Sequence, residues 1–544
     1  MKKSQSKKAL AALLVSALAL SIFACGGGGA GDSPGASVSS DASGSPGAST
    51  APGTENPPDA PTKDTVTIAV TQDSGTLDPM IISGNDIVYA VHMIYDQLWY
   101  IDENGDEIMM LATEREKIDQ LTYRVKLRED ITFTNGNSFE SDDVLFSLDH
   151  ANKRPGQPGI LPQLDVDSCK IVDPYTIDLV FSEYLTTLMQ SIGGLCMLDK
   201  QTSEADPETL ATRPVGTGPY ILTEYVVNSH LNLTRRDEYW GTMPAIKNYS
   251  FVQLKEESQR VNAIETGEVD LADIPYQDIE YVKSLPGVRV DQTQGFMGSA
   301  LYFNISSSSI FYDDPDARRA VAYAVDRDAI NNLAYSGTGT KPAAPVDGTA
   351  SDGDGRMFDM GIYGDDYKPE LAAELAESSG LTGKTVRLIN NGTSAAAMTS
   401  ELIQADCKKV GITIDVISLD MGTWVSYLFD ETQYDMCIDG VPLAPASYAG
   451  SYSFCYSSMA AGSYANYDFD GKEKAFADLA LALSDDDVQR RVELNNEMAK
   501  ISADEMLWYN LVSPSSALGM AADLKGTIRS GYNVPSLYRN LSWG

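Results

Sequence analysis

Three kinds of residue pattern in this chain invite a chemical interpretation, and the first is a glycine-rich turn. The segment Arg213–Tyr220, R-P-V-G-T-G-P-Y, places two glycines in a small-residue turn like that of a phosphate-binding loop. Such a loop follows a buried strand and opens a helix, whose N-terminal amides complete the anion site. Here the turn runs into Pro219–Leu222, which is strand-like, and no lysine follows the second glycine. The segment therefore predicts no nucleotide site.

The other two patterns, for nucleophilic and for metal-assisted catalysis, also lack the spacing they need. A Gly-x-Ser-x-Gly match at 31–35 lies in a segment with no sheet to hold a nucleophile. The three histidines, His92, His150 and His230, are far apart, and neither His-x-x-x-His nor Cys-x-x-Cys occurs. We therefore expect no enzymatic activity, no metal centre and no cofactor.

The N-terminus indicates export. Four lysines in the first eight residues precede the apolar run Ala9–Ala24, which is shorter than the about 20 residues that a membrane span needs. A basic start and a short apolar core predict a signal peptide over residues 1–24. The run ends Ile22-Phe23-Ala24-Cys25, which resembles a bacterial lipobox and implies lipidation of Cys25. The alternative is an ordinary signal peptide in which Cys25 is incidental.

After Cys25 the chain is a Gly-, Ser-, Ala- and Pro-rich segment to residue 63. Its composition has too little apolar surface to offset the entropy of ordering, so we expect a flexible tether with an r.m.s. span of roughly 35 Å. A lipid and a tether would hold a globular body at the outer face of the cell membrane. The net charge of −37 argues against a nucleic-acid partner, because no basic face is offered to phosphates.

The globular body contains roughly 480 residues, too many for one hydrophobic core, so at least two lobes are expected. Helix and strand patterns are mixed along it, which predicts an α/β fold. The apolar spacing from Asp86 to Tyr100 predicts a helix, and the alternation from Tyr123 to Leu127 predicts a half-exposed strand. Five cysteines follow Cys25. Cys437 and Cys455 are close enough in sequence for a disulfide, or all five are small core residues.

Seven motifs along the body resemble, in order, the solute-binding lipoproteins of family 5, the oligopeptide, dipeptide and nickel class that feeds ABC importers. They are Leu77–Pro79, Leu127–Val144, Pro214–Tyr220, Glu238–Gly241, Gly267–Asp270, Tyr302–Asn304 and Asp314–Arg327.

The resemblance implies a two-lobed, periplasmic-binding-protein-like fold of type II that closes on its ligand about a hinge. Lobe I is expected at 64–300, with an extra subdomain inserted at about 103–233, lobe II at 301–509, and a C-terminal return to lobe I at 510–544. The implied partners are a small solute and the membrane subunits of an ABC permease, and we expect the protein to be a monomer. A secreted hydrolase on this scaffold is the alternative of another class.

The ligand class depends on two charged anchors that peptide-binding members use. Their aspartate follows a Gly-Trp pair in lobe II, but here Val441 follows Gly440 and Ala444 stands near the position of the acid. Their arginine precedes a lobe II helix, and Ser394–Thr399 contains none. A buried charge without its partner is costly. We therefore expect an oligopeptide held through its backbone, or an oligosaccharide or other uncharged ligand. The candidate ligand contacts are Asn85, Tyr302, Asn304, Trp424, Asp439, Tyr448 and Tyr452.

Overall fold

The structure is a computed structural model, in which strands and helices are numbered here along the chain. It describes residues 63–82, 85–101, 107–154, 160–186, 188–294, 297–346, 367–442, 452, 455–456, 464, 467–526, 528 and 537–544. The signal peptide, Cys25, the tether to residue 62, Ala444 and Tyr448 lie outside the described residues, so the predictions about them stay predictions. Within those ranges no helix is both long and apolar enough to cross a membrane.

The first lobe is built on a seven-stranded sheet whose three central strands are parallel. Val66 and Ile68 of its central strand are fully buried between layers of side chains. The central strand is parallel to both of its neighbours, and the outer pairings are antiparallel. The spatial order is β12 (Val288–Gln294), β18 (Ser515–Ala521), β11 (Leu271–Asp273), β1 (Thr65–Val70), β10 (Asn248–Gln253), β9 (His230–Arg235) and β8 (Tyr220–Val226).

A smaller antiparallel sheet lies within this lobe's sequence. In its second strand Tyr123, Val125 and Leu127 are buried while Lys126 is exposed, which confirms the predicted half-exposed strand. The order is β4 (Ala112–Lys117), β5 (Thr122–Leu127), β7 (Thr176–Val180) and β6 (Lys170–Asp173), and the hairpin of β2 (Trp99–Ile101) and β3 (Glu107–Met109) precedes it.

The second lobe has a five-stranded sheet that mixes parallel and antiparallel pairs. Its order is β15 (Thr413–Ser418), β14 (Thr385–Asn390), β16 (Met436–Pro442), β13 (Met297–Phe303) and β17 (Trp508–Val512). Strand β14 is parallel to β15 and to β16, whereas β13 is antiparallel to both of its neighbours.

The chain passes between the two large sheets twice, at neighbouring places. Strand β12 ends at Gln294 in the first sheet and β13 begins at Met297 in the second. On the return, β17 ends at Val512 and β18 begins at Ser515. Because β13 and β17 pair with each other, the two crossings lie side by side. Two lobes joined by two adjacent strands form an architecture that can open and close about a hinge.

Helices cover the sheets, and short polar residues begin several of them. The side chains of Asp314, Asp326, Thr393 and Asp420 each accept a hydrogen bond from a backbone N–H of the following first turn. Lobe I contains α1 (Asn85–Val91), α2 (Ser141–Asn152), α3 (Leu188–Gly193), α4 (Lys200–Ala205), α5 (Glu208–Thr212), α6 (Glu257–Thr266) and α7 (Ile279–Lys283). Lobe II contains α8 (Pro315–Ala324), α9 (Arg327–Ala334), α10 (Pro369–Ser378), α11 (Ser394–Lys409), α12 (Met421–Leu428), α13 (Lys472–Ser484) and α14 (Val488–Asp504).

The remaining elements are short. They are 3₁₀ turns at Tyr276–Asp278 and Leu537–Asn540 and the paired strands β19 (Leu524–Lys525) and β20 (Ser542–Trp543).

The predicted helix from Asp86 to Tyr100 is wrong beyond its first two turns. Helix α1 ends at Val91, because the carbonyls of Met93 and Ile94 accept hydrogen bonds from Tyr220 (3.1 Å) and Gly218 (2.9 Å) instead of from the next helical turn. The apolar residues of this stretch are buried, so their spacing reflects the core rather than a helix. These same contacts explain the glycine-rich turn. A Cβ added at Gly218 would lie 2.6 Å from the Ile94 backbone, so the glycine allows these two backbone segments to pack closely.

A buried ionic network joins four segments of lobe I that are separate in sequence. The carboxylate of Asp96 is fully buried and accepts from the Arg539 guanidinium (2.7 Å), the Trp240 indole (2.8 Å), the Tyr239 hydroxyl (3.1 Å) and the Thr217 hydroxyl (3.2 Å). The Glu238–Gly241 and Pro214–Tyr220 motifs therefore have a structural role, which is to tie the C-terminal return to the lobe core.

The five described cysteines are all free thiols, so the suggested disulfide between Cys437 and Cys455 is not formed. Both of these residues are fully buried, and Cys455 Sγ lies 3.7 Å from the Tyr302 hydroxyl. Burial raises the pKa of the Cys455 thiol to about 12. The alternative interpretation, that these are core residues, is confirmed for Cys196, Cys407, Cys437 and Cys455, whereas Cys169 is half-buried.

Candidate functional site

The order of strands in lobe II marks where a ligand site is expected. From β14 the chain runs through α11 to β15 on one side, and then through α12 to β16 on the other side. The direction of winding therefore reverses between β14 and β16. In open α/β sheets, ligands bind beyond the carboxyl ends of the strands at such a switch point. In lobe II these ends are Asn390, after which α11 begins, and Pro442.

Lobe I presents the corresponding edge of its own sheet to this place. The parallel strands β10 and β11 are followed by α6, which begins at Glu257, and by the turn at Tyr276. The ring of Tyr276 packs edge-on against Tyr335 of lobe II with centroids 5.0 Å apart, and the Ser336 hydroxyl donates to the Tyr276 carbonyl at 2.7 Å. The turn that follows β11 in lobe I therefore contacts the end of helix α9 in lobe II across the interface.

Asp439 is the one carboxylate among the predicted contacts. It lies on β16 directly opposite Ala300 of the crossing strand β13 and is half-buried. Burial raises the pKa of this carboxyl to about 7, although the Gly440 N–H, which donates at 2.7 Å, opposes the shift. Among the described residues no cation pairs with Asp439. Near neutral pH it can act as a hydrogen-bond donor when protonated, or as the partner of a cationic group when ionised.

Tyr302 shares the sheet face of Asp439, because Ala300 and Tyr302 alternate with Leu301 along β13. Its hydroxyl donates to the Gly440 carbonyl at 3.0 Å, which holds β16 in place beside Asp439. The Tyr302 ring stacks on Trp508 at 6.1 Å, and the Tyr452 ring packs on the same indole at 6.4 Å. The structure therefore brings Tyr302, Asp439 and Tyr452 together.

The described tyrosines between residues 452 and 467 lie in the lobe II core or pack against it. Tyr452, Tyr456 and Tyr464 are buried to 2% exposure or less around Trp508. Tyr467 is half-buried and its hydroxyl donates to Glu431 at 2.5 Å. Rings that are packed on one another do not present a free face on which a sugar can stack, and this argues against an oligosaccharide.

The other predicted contacts lie elsewhere. Asn304 is fully buried, and its amide donates to the carbonyls of Glu431 (2.7 Å) and Tyr434 (2.8 Å), which is a structural role in the loop before β16. Trp424 packs in the lobe II core at the start of α12, and its indole N–H has no acceptor among the described residues. Asn85 begins α1 in lobe I. Their roles as ligand contacts, like those of Tyr302, Tyr448 and Tyr452, stay predictions.

Two buried hydroxyl groups at the interface were missed from the sequence. Ser299 on β13 and Thr399 on α11 have hydroxyls without a hydrogen-bond partner among the described residues. Both side chains lie close to the Tyr335 hydroxyl, but not in hydrogen-bond geometry. Burial raises the pKa of Tyr335, and the nearby Ser299 and Thr399 hydroxyls partly offset this increase. An unsatisfied buried hydroxyl costs about 1–3 kcal/mol. The one sequence signal for this part of the interface was the run of small residues Gly298–Ala300, which contains Ser299.

Metal binding finds no support in the described part of the chain. No group of three or more His, Cys, Asp or Glu side chains there is arranged to hold a metal ion. His150 instead contacts Asp78 at 2.8 Å, and His230 lies 3.2 Å from Glu224.

Comparison with known proteins identifies the class. The family model for bacterial extracellular solute-binding proteins, family 5 Middle, matches residues 108–462. The chain belongs to this family. The dipeptide-binding protein of Escherichia coli (strain K12) is 26% identical over 76% of this chain and 82% of its own length.

Solved structures of the family share the fold. DppA from Helicobacter pylori in complex with peptide STSA has a TM-score of 0.74 at 21% identity, over 88% of this chain and 98% of that chain. NikA from Brucella suis in complex with Fe(III)-EDTA has a TM-score of 0.77 at 22% identity, over 89% of this chain and 100% of that chain. The two-lobed family 5 fold predicted from the motifs is confirmed.

Membership of family 5 establishes the general role of the protein. It is an extracytoplasmic substrate-binding protein that binds a peptide or other small solute and works with an ABC permease. It is a transport binding protein and not an enzyme, as expected from the absence of a catalytic pattern in the sequence.

Proposed function

We propose that this protein captures an oligopeptide between its two lobes and delivers it to the permease while a lipid on Cys25 holds it, as a monomer, at the outer face of the cell membrane. The observation that carries the choice of ligand is Asp439. It is a half-buried carboxyl in the middle of β16, opposite Ala300 of the crossing strand β13, with no cation partner among the described residues.

Two states of Asp439 suit a peptide. When ionised it pairs with an amino group, and that cation would lower its pKa again; when protonated it donates to a peptide carbonyl. The buried hydroxyls of Ser299 and Thr399, which have no hydrogen-bond partner among the described residues, add donors suited to backbone carbonyls. The buried tyrosines around Trp508 disfavour the oligosaccharide alternative. The relatives whose names or titles mention a dipeptide or the peptide STSA support the same choice.

A thermal-shift screen of di- to pentapeptides, oligosaccharides and nickel chelates tests the ligand class. A ligand at 100 times its Kd adds about 2.7 kcal/mol to the stability of the protein, which such a screen detects. We expect peptides to give the largest shift and Asp439→Asn to reduce it. The exposed Asp415→Asn, on strand β15 of the same sheet, is the matched control. A larger shift with a sugar or a chelate, or peptide shifts that D439N leaves unchanged, would count against the proposal.

The anchor and the hinge have separate tests. Cys25→Ala should release the protein from the membrane into the surrounding medium, and unchanged membrane retention would argue against a lipid on Cys25. Small-angle scattering should show a smaller radius of gyration when the best peptide is bound, because the site is completed only when both lobes contact the ligand. Equal radii with and without saturating peptide would exclude closure on binding.

A further inference from the structure

A carboxylate of lobe I occupies the N-terminus of a lobe II helix. The Ser394 hydroxyl, at the first residue of α11, donates to Glu257 Oε2, and the Ser394 backbone N–H approaches Glu257 Oε1 at 3.4 Å. Gln277 of lobe I donates to Glu257 Oε2 at 3.1 Å and orients the carboxylate. Because Glu257 and Ser394 belong to different lobes, their contact exists only while the lobes are together.

The place of this contact is the edge where the ligand site is expected. Helix α11 leaves the carboxyl end of β14 at the lobe II switch point, and Glu257 opens α6 at the carboxyl end of β10. The arginine that peptide-binding relatives are expected to carry before this lobe II helix has no counterpart in Ser394–Thr399. The segment Ser394–Thr399 therefore has no cation for a ligand carboxylate, and it is contacted instead by the carboxylate of Glu257.

Electrostatics explains why a carboxylate is favourable at this position. The N-termini of α6 and α11 both carry partial positive charge, and they face each other across the interface. The Glu257 carboxylate lies between them and lowers their mutual repulsion. Asp278 adds a second acid nearby: its pKa is raised by its own burial and by the charge of Glu257. A further anion from a ligand would meet two carboxyl groups here.

We propose that Glu257 is a specificity-determining residue, whose carboxylate takes the place of a ligand carboxylate at the N-terminus of α11 and holds the lobes together. The inference rests on the proposed peptide function for its choice of ligand. The consequence is selectivity: a peptide does not need a free C-terminal carboxylate at this place, and the protein binds an amidated peptide at least as well as the free acid.

The experiment compares two variants that each remove one negative charge at the start of α6. Glu257→Gln removes the charge that contacts α11, whereas Glu256→Gln is a control at an exposed N-cap whose side chain makes no capping hydrogen bond. Calorimetry measures binding of tetraalanine and of tetraalanine amide to wild type and both variants. Small-angle scattering measures the radius of gyration of each protein without peptide.

In E257Q the affinity for the free acid relative to the amide should rise by roughly two- to fivefold, the range of a charge at a helix N-terminus, and E256Q should match wild type. The ligand-free radius of gyration should be larger in E257Q than in E256Q. An unchanged radius would overturn the inference whatever the peptides do, and so would an acid-to-amide ratio that E257Q leaves unchanged. If neither peptide binds any of the proteins, the peptide function fails, and the radius alone decides the role of Glu257.

Discussion

The buried pair of Asp96 and Arg539 provides a quantitative test of what holds lobe I together. Arg539→Met keeps the length of the side chain but leaves the Asp96 carboxylate in the core with only the Trp240, Tyr239 and Thr217 donors. Breaking a buried pair by removing one partner costs about 3–5 kcal/mol, because a charge remains without compensation. Burial lowers the pKa of Arg539, but Asp96, Tyr239 and Cys196 together raise it above its ordinary value, so the guanidinium is charged.

Urea denaturation, monitored by circular dichroism, measures the decrease in the free energy of unfolding. Unchanged m-values would show that the folded and unfolded states of the variants are comparable. The control is Arg213→Met, which breaks the exposed ion pair with Asp206 at 2.7 Å. It should cost no more than about 1 kcal/mol. The double variant D96N/R539M leaves neither charge alone, so its loss should be smaller than the sum of the single losses by at least about 0.5 kcal/mol. Additive losses, or a loss in R539M no larger than in R213M, would refute the reasoning.

Two further predictions concern the lobe I turn and the interface acid. Gly218→Ala places a Cβ against the Ile94 backbone and should lower the free energy of unfolding by about 1–3 kcal/mol in urea titrations; an unaffected protein would show that the turn can move away. Burial raises the pKa of Asp439 above its ordinary value to about 7, so the folded protein binds the proton more tightly than the unfolded chain does. Stability from this group is therefore present at low pH and is lost as pH rises from about 4 to 7. The melting temperature of wild type should fall more between pH 5 and 8 than that of D439N, and parallel pH profiles of the two proteins would contradict this.

Local patterns were sufficient for many of the elements and for the class of the protein. The alternation from Tyr123 to Leu127 produces strand β5, and the strand-like segment Pro219–Leu222 leads into strand β8. These succeed because side-chain periodicity and capping act over a few residues. The order of the seven motifs predicted the two-lobed fold and the transport role. The exclusion of a phosphate site also came from local sequence, because Tyr220–Val226 forms a strand after the glycine-rich turn.

The tertiary structure decided the features that depend on distant partners. The apolar residues after Val91 have helical spacing, but the carbonyls of this stretch accept hydrogen bonds from Gly218 and Tyr220. The residues are apolar because the core surrounds them, and their spacing matches that of a helix only by coincidence. The sequence around Asp96 does not predict its ion pair with Arg539, and the sequence around Ser394 does not predict its hydrogen bond to Glu257. Packing also placed Tyr452, Tyr456 and Tyr464 in the core around Trp508, where the sequence alone showed only a cluster of tyrosines. Hydrogen bonds and ion pairs of this kind join residues that only the folded chain brings together, and so no pattern within either segment encodes them.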